Sequence, residues 1–258
     1  MVQYECVRFL FSNPFNMNHA PLVRRCVRKM NTAVAGVLAV AIAVSSVSSV
    51  ALAATTSNLN QVINPGSLYI DIVNGSTYAP VSSPSVALTA KTFSFQCQKE
   101  SDASTGTFGT ANETIYVKNP DTADNGWSVT LAATSPSAVW HSASNKGDYD
   151  FNDAAGSGCD DGGTDADAYA GKLTVNPSVG TLEEGTCLNC STTDISKGAE
   201  ASFAQGTADS VTILTGAAGS DDIGDWKLTG VNLSQTIPAE QAAAADYSID
   251  MTLSVIGS

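Results

Sequence analysis

Between residues 247 and 255 every second side chain is apolar: Tyr247, Ile249, Met251, Leu253 and Val255 alternate with Ser248, Asp250, Thr252 and Ser254. A period of two sends these sets to opposite faces of a β-strand, one for a core and one for water. A helix cannot bury that pattern on a single face. The spacing recurs in Leu68, Ile70 and Ile72, in Ile115 and Val117, in Trp127, Val129, Leu131 and Ala133, in Leu173 and Val175, and in Val211 and Ile213. Trp226 and Leu228 share a phase that Val231 and Leu233 resume one residue late, so a β-bulge is expected at Gly230. Turn-forming Gly, Asn, Asp, Pro and Ser separate these segments. Residues 239–245 (AEQAAAA) alone suggest a turn or two of helix. The pattern predicts an all-β fold, an antiparallel β-sandwich of jelly-roll or Greek-key type with a long acidic loop. Its expected core is Phe93, Phe95, Trp127, Leu131, Trp226, Leu228, Tyr247, Met251 and Leu253, with Cys97 in phase with the two phenylalanines.

Residues 1–53 read as a signal peptide rather than as part of the fold. Arg24, Arg25, Arg28 and Lys29 form a basic region, residues 33–44 an apolar run of twelve, and Ala51-Leu52-Ala53 a cleavage site before Ala54. A membrane span needs about 20 apolar residues; an uncleaved anchor is the alternative, since small residues extend the run. The thirty residues up to Met30 are long for such a basic region, so the expected start is Met17 or another point after Met1.

Residues 54–258 then form a single domain of 205 residues with 7 Lys, no Arg and 24 acidic residues, a net charge of −17. So acidic a surface argues against nucleic acid and anionic membranes as partners. It suits an extracellular protein that takes up divalent cations.

The acid is concentrated. Residues 147–171 read GDYDFNDAAGSGCDDGGTDADAYAG, with seven aspartates at 148, 150, 153, 160, 161, 165 and 167. Carboxylates packed on one loop repel one another unless a cation sits among them. Asp148-x-Asp150-x-Asn152 aims successive oxygens at one hard ion, although the Gly and Glu of an EF-hand loop are replaced by Asp153 and Cys159. The expected ion is Ca²⁺, held by Asp148, Asp150 and Asn152, with Asp153, Asp160, Asp161, Asp165 and Asp167 closing the shell from the other arm. A solvated acidic loop is the alternative.

Cys97, Cys159, Cys187 and Cys190 remain after cleavage, and in an exported chain they predict two disulfides of open connectivity. Cys187-Leu188-Asn189-Cys190 lacks the βαβ surroundings of a redox motif. No nucleophile elbow, His-Glu-x-x-His or phosphate loop is present, and His141 is the only histidine after residue 53. The chain is therefore not expected to be an enzyme. Trp140, beside His141, is the candidate exposed aromatic for a glycan.

Gly126-Trp127-Ser128-Val129, Trp226-Lys227-Leu228, Ile237-Pro238-Ala239 and the strand over 247–255 together resemble the WxL-type surface domains of Gram-positive bacteria. The likeness is to their divergent form on surface proteins of candidate-phylum bacteria. Met251-Thr252-Leu253 stands where that family carries a second Trp-x-Leu. The resemblance implies a β-rich fold and non-covalent association with the cell wall. The expected role is a secreted, non-catalytic wall-associated domain that binds or scaffolds, with wall polysaccharide, peptidoglycan or other surface proteins as partners. The alternatives are a carbohydrate-binding module and a self-assembling matrix or pilus-type subunit resembling camelysin-like proteins. In the last, residues 68–73 would serve as a donor strand after a lead over 54–64.

Overall fold

A computed structural model describes residues 5–7, 25–27, 60–122, 125–154, 156–162, 167–219 and 222–257. The chain divides into two units, Met1–Asn60 and Gln61–Ser258. In the first, β1 (Glu5–Val7) pairs antiparallel with β2 (Arg25–Val27), placing Cys6 opposite Cys26. The expected signal peptide, with its cleavage before Ala54, otherwise lies outside the described residues. Among these, no helix is long and apolar enough to cross a membrane.

The second unit is all-β. Among the described residues its fourteen strands are β3 (Tyr69–Val73), β4 (Ser104–Phe108), β5 (Thr114–Asn119), β6 (Trp127–Ala133), β7 (His141–Ser142), β8 (Lys172–Asn176), β9 (Thr181–Glu184), β10 (Ile195–Lys197), β11 (Ala201–Ser202), β12 (Ser210–Gly216), β13 (Gly224–Thr229), β14 (Val231–Thr236), β15 (Tyr247–Ser248) and β16 (Met251–Gly257). They form sheets ordered β3-β5-β13-β9, β11-β8-β14-β4 and β10-β12-β6-β16, with β15-β7 as a short ribbon. Every pairing is antiparallel.

The first two sheets follow one another along the chain at a corner. Gly230 alone separates β13 from β14, at φ +78°, a backbone angle that side chains avoid. Its N–H donates to the carbonyl of Gly109, the residue after β4, at 2.7 Å. Where a bulge within one strand was expected, Gly230 is instead a break between two strands that pair in different sheets. It lets Trp226 and Leu228 on one side and Val231 and Leu233 on the other all face inward.

The third sheet supplies the opposing wall. Trp127 of β6 and Trp226 of β13 meet at 5.4 Å between ring centroids, both essentially unexposed. Burying one such indole removes roughly 150–250 Å² from water, worth roughly 4–6 kcal/mol. Their N–H groups donate to the carbonyls of Asp222 (3.2 Å) and Ser191 (2.9 Å), so the tryptophans carry no unpaired donor inward. Ile115, Val117, Val129, Leu131, Val175, Val211 and Leu228 fill the space around them. A register shift in β12 between Thr212 and Leu214 buries Ile213 and Leu214 together, where strict alternation would expose one.

Several expectations are corrected. Phe93 and Phe95 are 46% and 72% exposed and stack edge to face on each other, not in the core. Their segment is not a strand: the Ser94 hydroxyl accepts the amide of Gln96, and the Ser94 carbonyl takes the amide of Glu240. Cys97 is accordingly half-buried. Tyr247, Met251 and Leu253 are likewise half-buried, at the margin of the core. Residues 239–245 form no helix, and Glu240 sits at φ +61°. The strand expected over 247–255 is split, because Asp246 accepts from the Ser142 and Ser144 hydroxyls and draws Tyr247 and Ser248 onto β7.

Candidate metal centre in the acidic loop

The acidic stretch leaves the ribbon at Tyr149 and returns to the sheet at β8. Backbone bonds close its base: Trp140 and Tyr149 pair reciprocally, Asp150 N–H reaches the Ala170 carbonyl at 2.9 Å, Asp153 N–H that of Gly171 at 3.1 Å, and Leu173 N–H that of Phe151 at 2.6 Å. Phe151, 1% exposed, drives the loop inward against Phe203, centroids 5.2 Å apart. Gly171 is required where the two arms touch. It sits at φ +140°, and a Cβ there would collide with the Asp150 carbonyl.

This folding buries three of the expected ligands. Asp150 and Asp153 are 0% exposed and Asn152 is 1% exposed. Asp150 Oδ1 accepts the N–H of Phe151 at 2.7 Å, while its Oδ2 is buried with no hydrogen-bond partner. Asn152 donates Nδ2–H to the Pro136 carbonyl at 2.9 Å, which leaves its Oδ1 buried and equally unmatched. A buried acceptor without a donor costs about 1–3 kcal/mol, and more when charged. Burial pushes the Asp150 carboxyl up to about 7, against backbone hydrogen bonds that favour the anion, and the negative charges of Asp167 and Asp153 push the same way. Oxygens buried without donors in a field of like charge are matched to a hard cation.

The remaining candidates are disposed differently. Asp148 is turned to His141, with Oδ1 2.9 Å from Nδ1. Asp167, half-buried, accepts the Tyr169 amide at 3.0 Å and acts electrostatically on Asp150. Asp160 and Asp161 are exposed, and Asp165 lies outside the described residues. Asp150, Asn152 and Asp153 are thus buried at the base of the loop and the charge of Asp167 reaches Asp150, but the loop carboxylates are not drawn as close together as Cys187, Cys190 and Asp225 are, and Asp148 is hydrogen-bonded to His141. Calcium fits this all-oxygen set better than zinc, which prefers nitrogen and sulfur, or magnesium, which keeps its water.

Gln235 went unnoticed in the sequence. Fully buried on β14, it donates to the carbonyls of Asp150 (3.0 Å) and Thr236 (2.8 Å) and accepts the Trp140 indole N–H at 2.9 Å. The only signal was a polar residue in the inward phase of Val231 and Leu233. Trp140 is not the exposed aromatic that was expected. It is half-buried and stacked on Tyr149 at 5.9 Å and 10°.

The cysteines pair as Cys97 with Cys159 and Cys187 with Cys190, with Cα–Cα distances of 5.5 and 5.8 Å. The first pair ties the tip of the acidic loop to the segment before β4. The second lies beside Asp225, and these three residues are the group of closely set Cys and acidic side chains found among the described residues. Burial alone would raise the Asp225 carboxyl. Hydrogen bonds from Tyr116 (2.5 Å), the Thr186 amide and hydroxyl and the Cys187 amide (2.8 Å each) carry it below the usual range instead. That carboxylate is already satisfied and is a structural anchor for residues 186–187.

No family model, no curated protein and no solved structure matches the chain.

Proposed function

We propose that this chain is an exported, non-catalytic cell-surface domain whose acidic loop closes around Ca²⁺, and that the loop so ordered takes part in binding or scaffolding at the cell wall. The observation that carries the reading is the pair of buried oxygens, Asp150 Oδ2 and Asn152 Oδ1, that face no donor inside a cluster of carboxylates. Two cysteine pairs at disulfide distance and the net charge of −17 over residues 54–258 support an oxidising, cation-rich exterior. The WxL-type motifs support wall association. Ca²⁺ accepts six to eight oxygens at about 2.3–2.6 Å, and a site with a dissociation constant of roughly 10⁻⁴–10⁻³ M suffices outside the cell.

Sedimentation with purified cell walls tests the whole reading. The protein is expected to pellet with walls in millimolar calcium and to be released by a chelator. Asp150→Asn should lower the calcium affinity and the pelleting together. Pelleting indifferent to chelator would separate wall binding from the loop, and no pelleting at all would remove the wall from the proposal.

A further inference from the structure

The last strand is an unguarded sheet edge. β16 pairs on one side with β6, and among the described residues none of its backbone groups bonds to anything else. Its sequence, MTLSVIG, has no charge and no proline, and its pairing with β6 shows no register shift. Edge strands are ordinarily blunted by lysine, proline, a bulge or a covering segment, because a bare edge is a template for another strand. The other edge nearby is covered: the Ile72 carbonyl of β3 accepts the amide of Val81.

Beside β16 the sandwich is incompletely filled. A cleft of about 360 Å³ lies between β16 and β3, and Ile72, Val86, Leu88, Leu131, Leu233 and Leu253 are among its apolar walls. Leu131 and Leu233 belong to the core itself. A strand laid on β16 would therefore gain a backbone ladder and send alternate side chains into an apolar slot.

The same chain has an exposed segment of matching character. Val62 and Ile63 are 82% and 83% exposed, and the stretch around them, 60–68, belongs to no strand. Residues 54–68 contain no charged side chain, although residues 54–258 hold 24 acidic groups. Between copies at −17, a neutral stretch approaches the edge with less charge repulsion than the acidic remainder of the chain. It does not reach its own cleft. The Gly66 N–H bonds to the Pro120 carbonyl, just past β5, whereas the cleft touches Glu113 at the other end of that strand. The expected donor stretch, 68–73, is itself engaged, since β3 is paired with β5.

We infer that the segment preceding Asn64 of one copy adds as a strand to β16 of a second copy and seats its apolar side chains in the cleft beside it. Lead and cleft are different surfaces, so the contact is heterologous and propagates into a filament rather than closing as a dimer.

Two edge-specific variants test this. Val62→Asp/Ile63→Asp damages the lead alone, at side chains that touch little. Thr252→Lys/Ser254→Lys charges the exposed face of β16 and leaves its inward residues intact; Ile256→Lys, at a residue 65% exposed, is the substitute if that pair fails to fold. Light scattering on the exported chain should show polymers that lengthen with concentration. Each variant alone should be monomeric with an unchanged circular dichroism spectrum. Mixed, they should form one-to-one dimers, because one retains the cleft and the other the lead. A wild-type chain that stays monomeric overturns the inference. So does a closed dimer that survives Val62→Asp/Ile63→Asp, which would mean that β16 pairs with β16.

Discussion

Acidifying a calcium-free sample from pH 8 to pH 6 should stabilise the fold, whereas the same change in saturating calcium should destabilise it. Burial raises Asp150 from 3.8 to about 7 in the folded chain. Between those values the folded chain holds a proton that the unfolded chain has released, so metal-free stability grows as the pH falls through 7. Linkage puts the gain from pH 8 to pH 6 at about 1.3 kcal/mol, and residual hydration of the side chain trims it to about 1 kcal/mol. A domain of this size converts that into a rise in Tm of roughly 2–4 °C. Calcium binds the anion, so in its presence the proton is a competitor and the slope reverses. Asp225 and Asp246 are both held below the usual carboxylate range, and their contributions are lost only at lower pH. Scanning calorimetry at both pH values, with calcium and with chelator, gives the four melting temperatures needed, and Asp150→Asn should flatten both slopes. Slopes of the same sign in calcium and in chelator, or slopes that persist in Asp150→Asn, would refute the assignment of the site to Asp150.

Trp226→Ala should cost about 3–5 kcal/mol in urea unfolding, because it empties a fully buried site against Trp127; a loss under about 2 kcal/mol would mean that the two walls collapse onto each other. Replacing Cys97 and Cys159 by serine opens a link across a sequence separation of 62 and should cost about 4 kcal/mol, against about 2 kcal/mol for Cys187 and Cys190 with a separation of 3. Equal losses for the two pairs would show that loop closure is not what they contribute.

The strands were legible where alternation coincided with large apolar residues. Trp127, Val129 and Leu131 lie on β6 in the expected phase, and the slip at Gly230 marks the break between β13 and β14. Phe93, Phe95 and Cys97 alternate just as well, yet among the described residues no strand pairs with that segment, and local alternation carries no information about partners. The surroundings of the candidate site were half legible. Spacing put Asp148, Asp150 and Asn152 in one series, but Asp148 is claimed by His141, eleven residues before Asn152 and invisible to the motif. Gln235 was out of reach because its contact with Asp150 spans 85 residues. The bare edge at β16 is likewise a fact of sheet order, not of composition.

The stacking of Trp140 on Tyr149, next to Asp150, has a spectroscopic consequence. Trp127 and Trp226 are sealed in the core and report on global unfolding, whereas Trp140 is half-exposed and hydrogen-bonded to the same glutamine that holds the Asp150 carbonyl. Indole emission therefore separates into two populations by environment. One is blue-shifted and follows the sandwich; the other lies further to the red and follows the loop. The chain carries an intrinsic probe at the place where an ion would be felt, and a Trp140→Phe variant provides its blank.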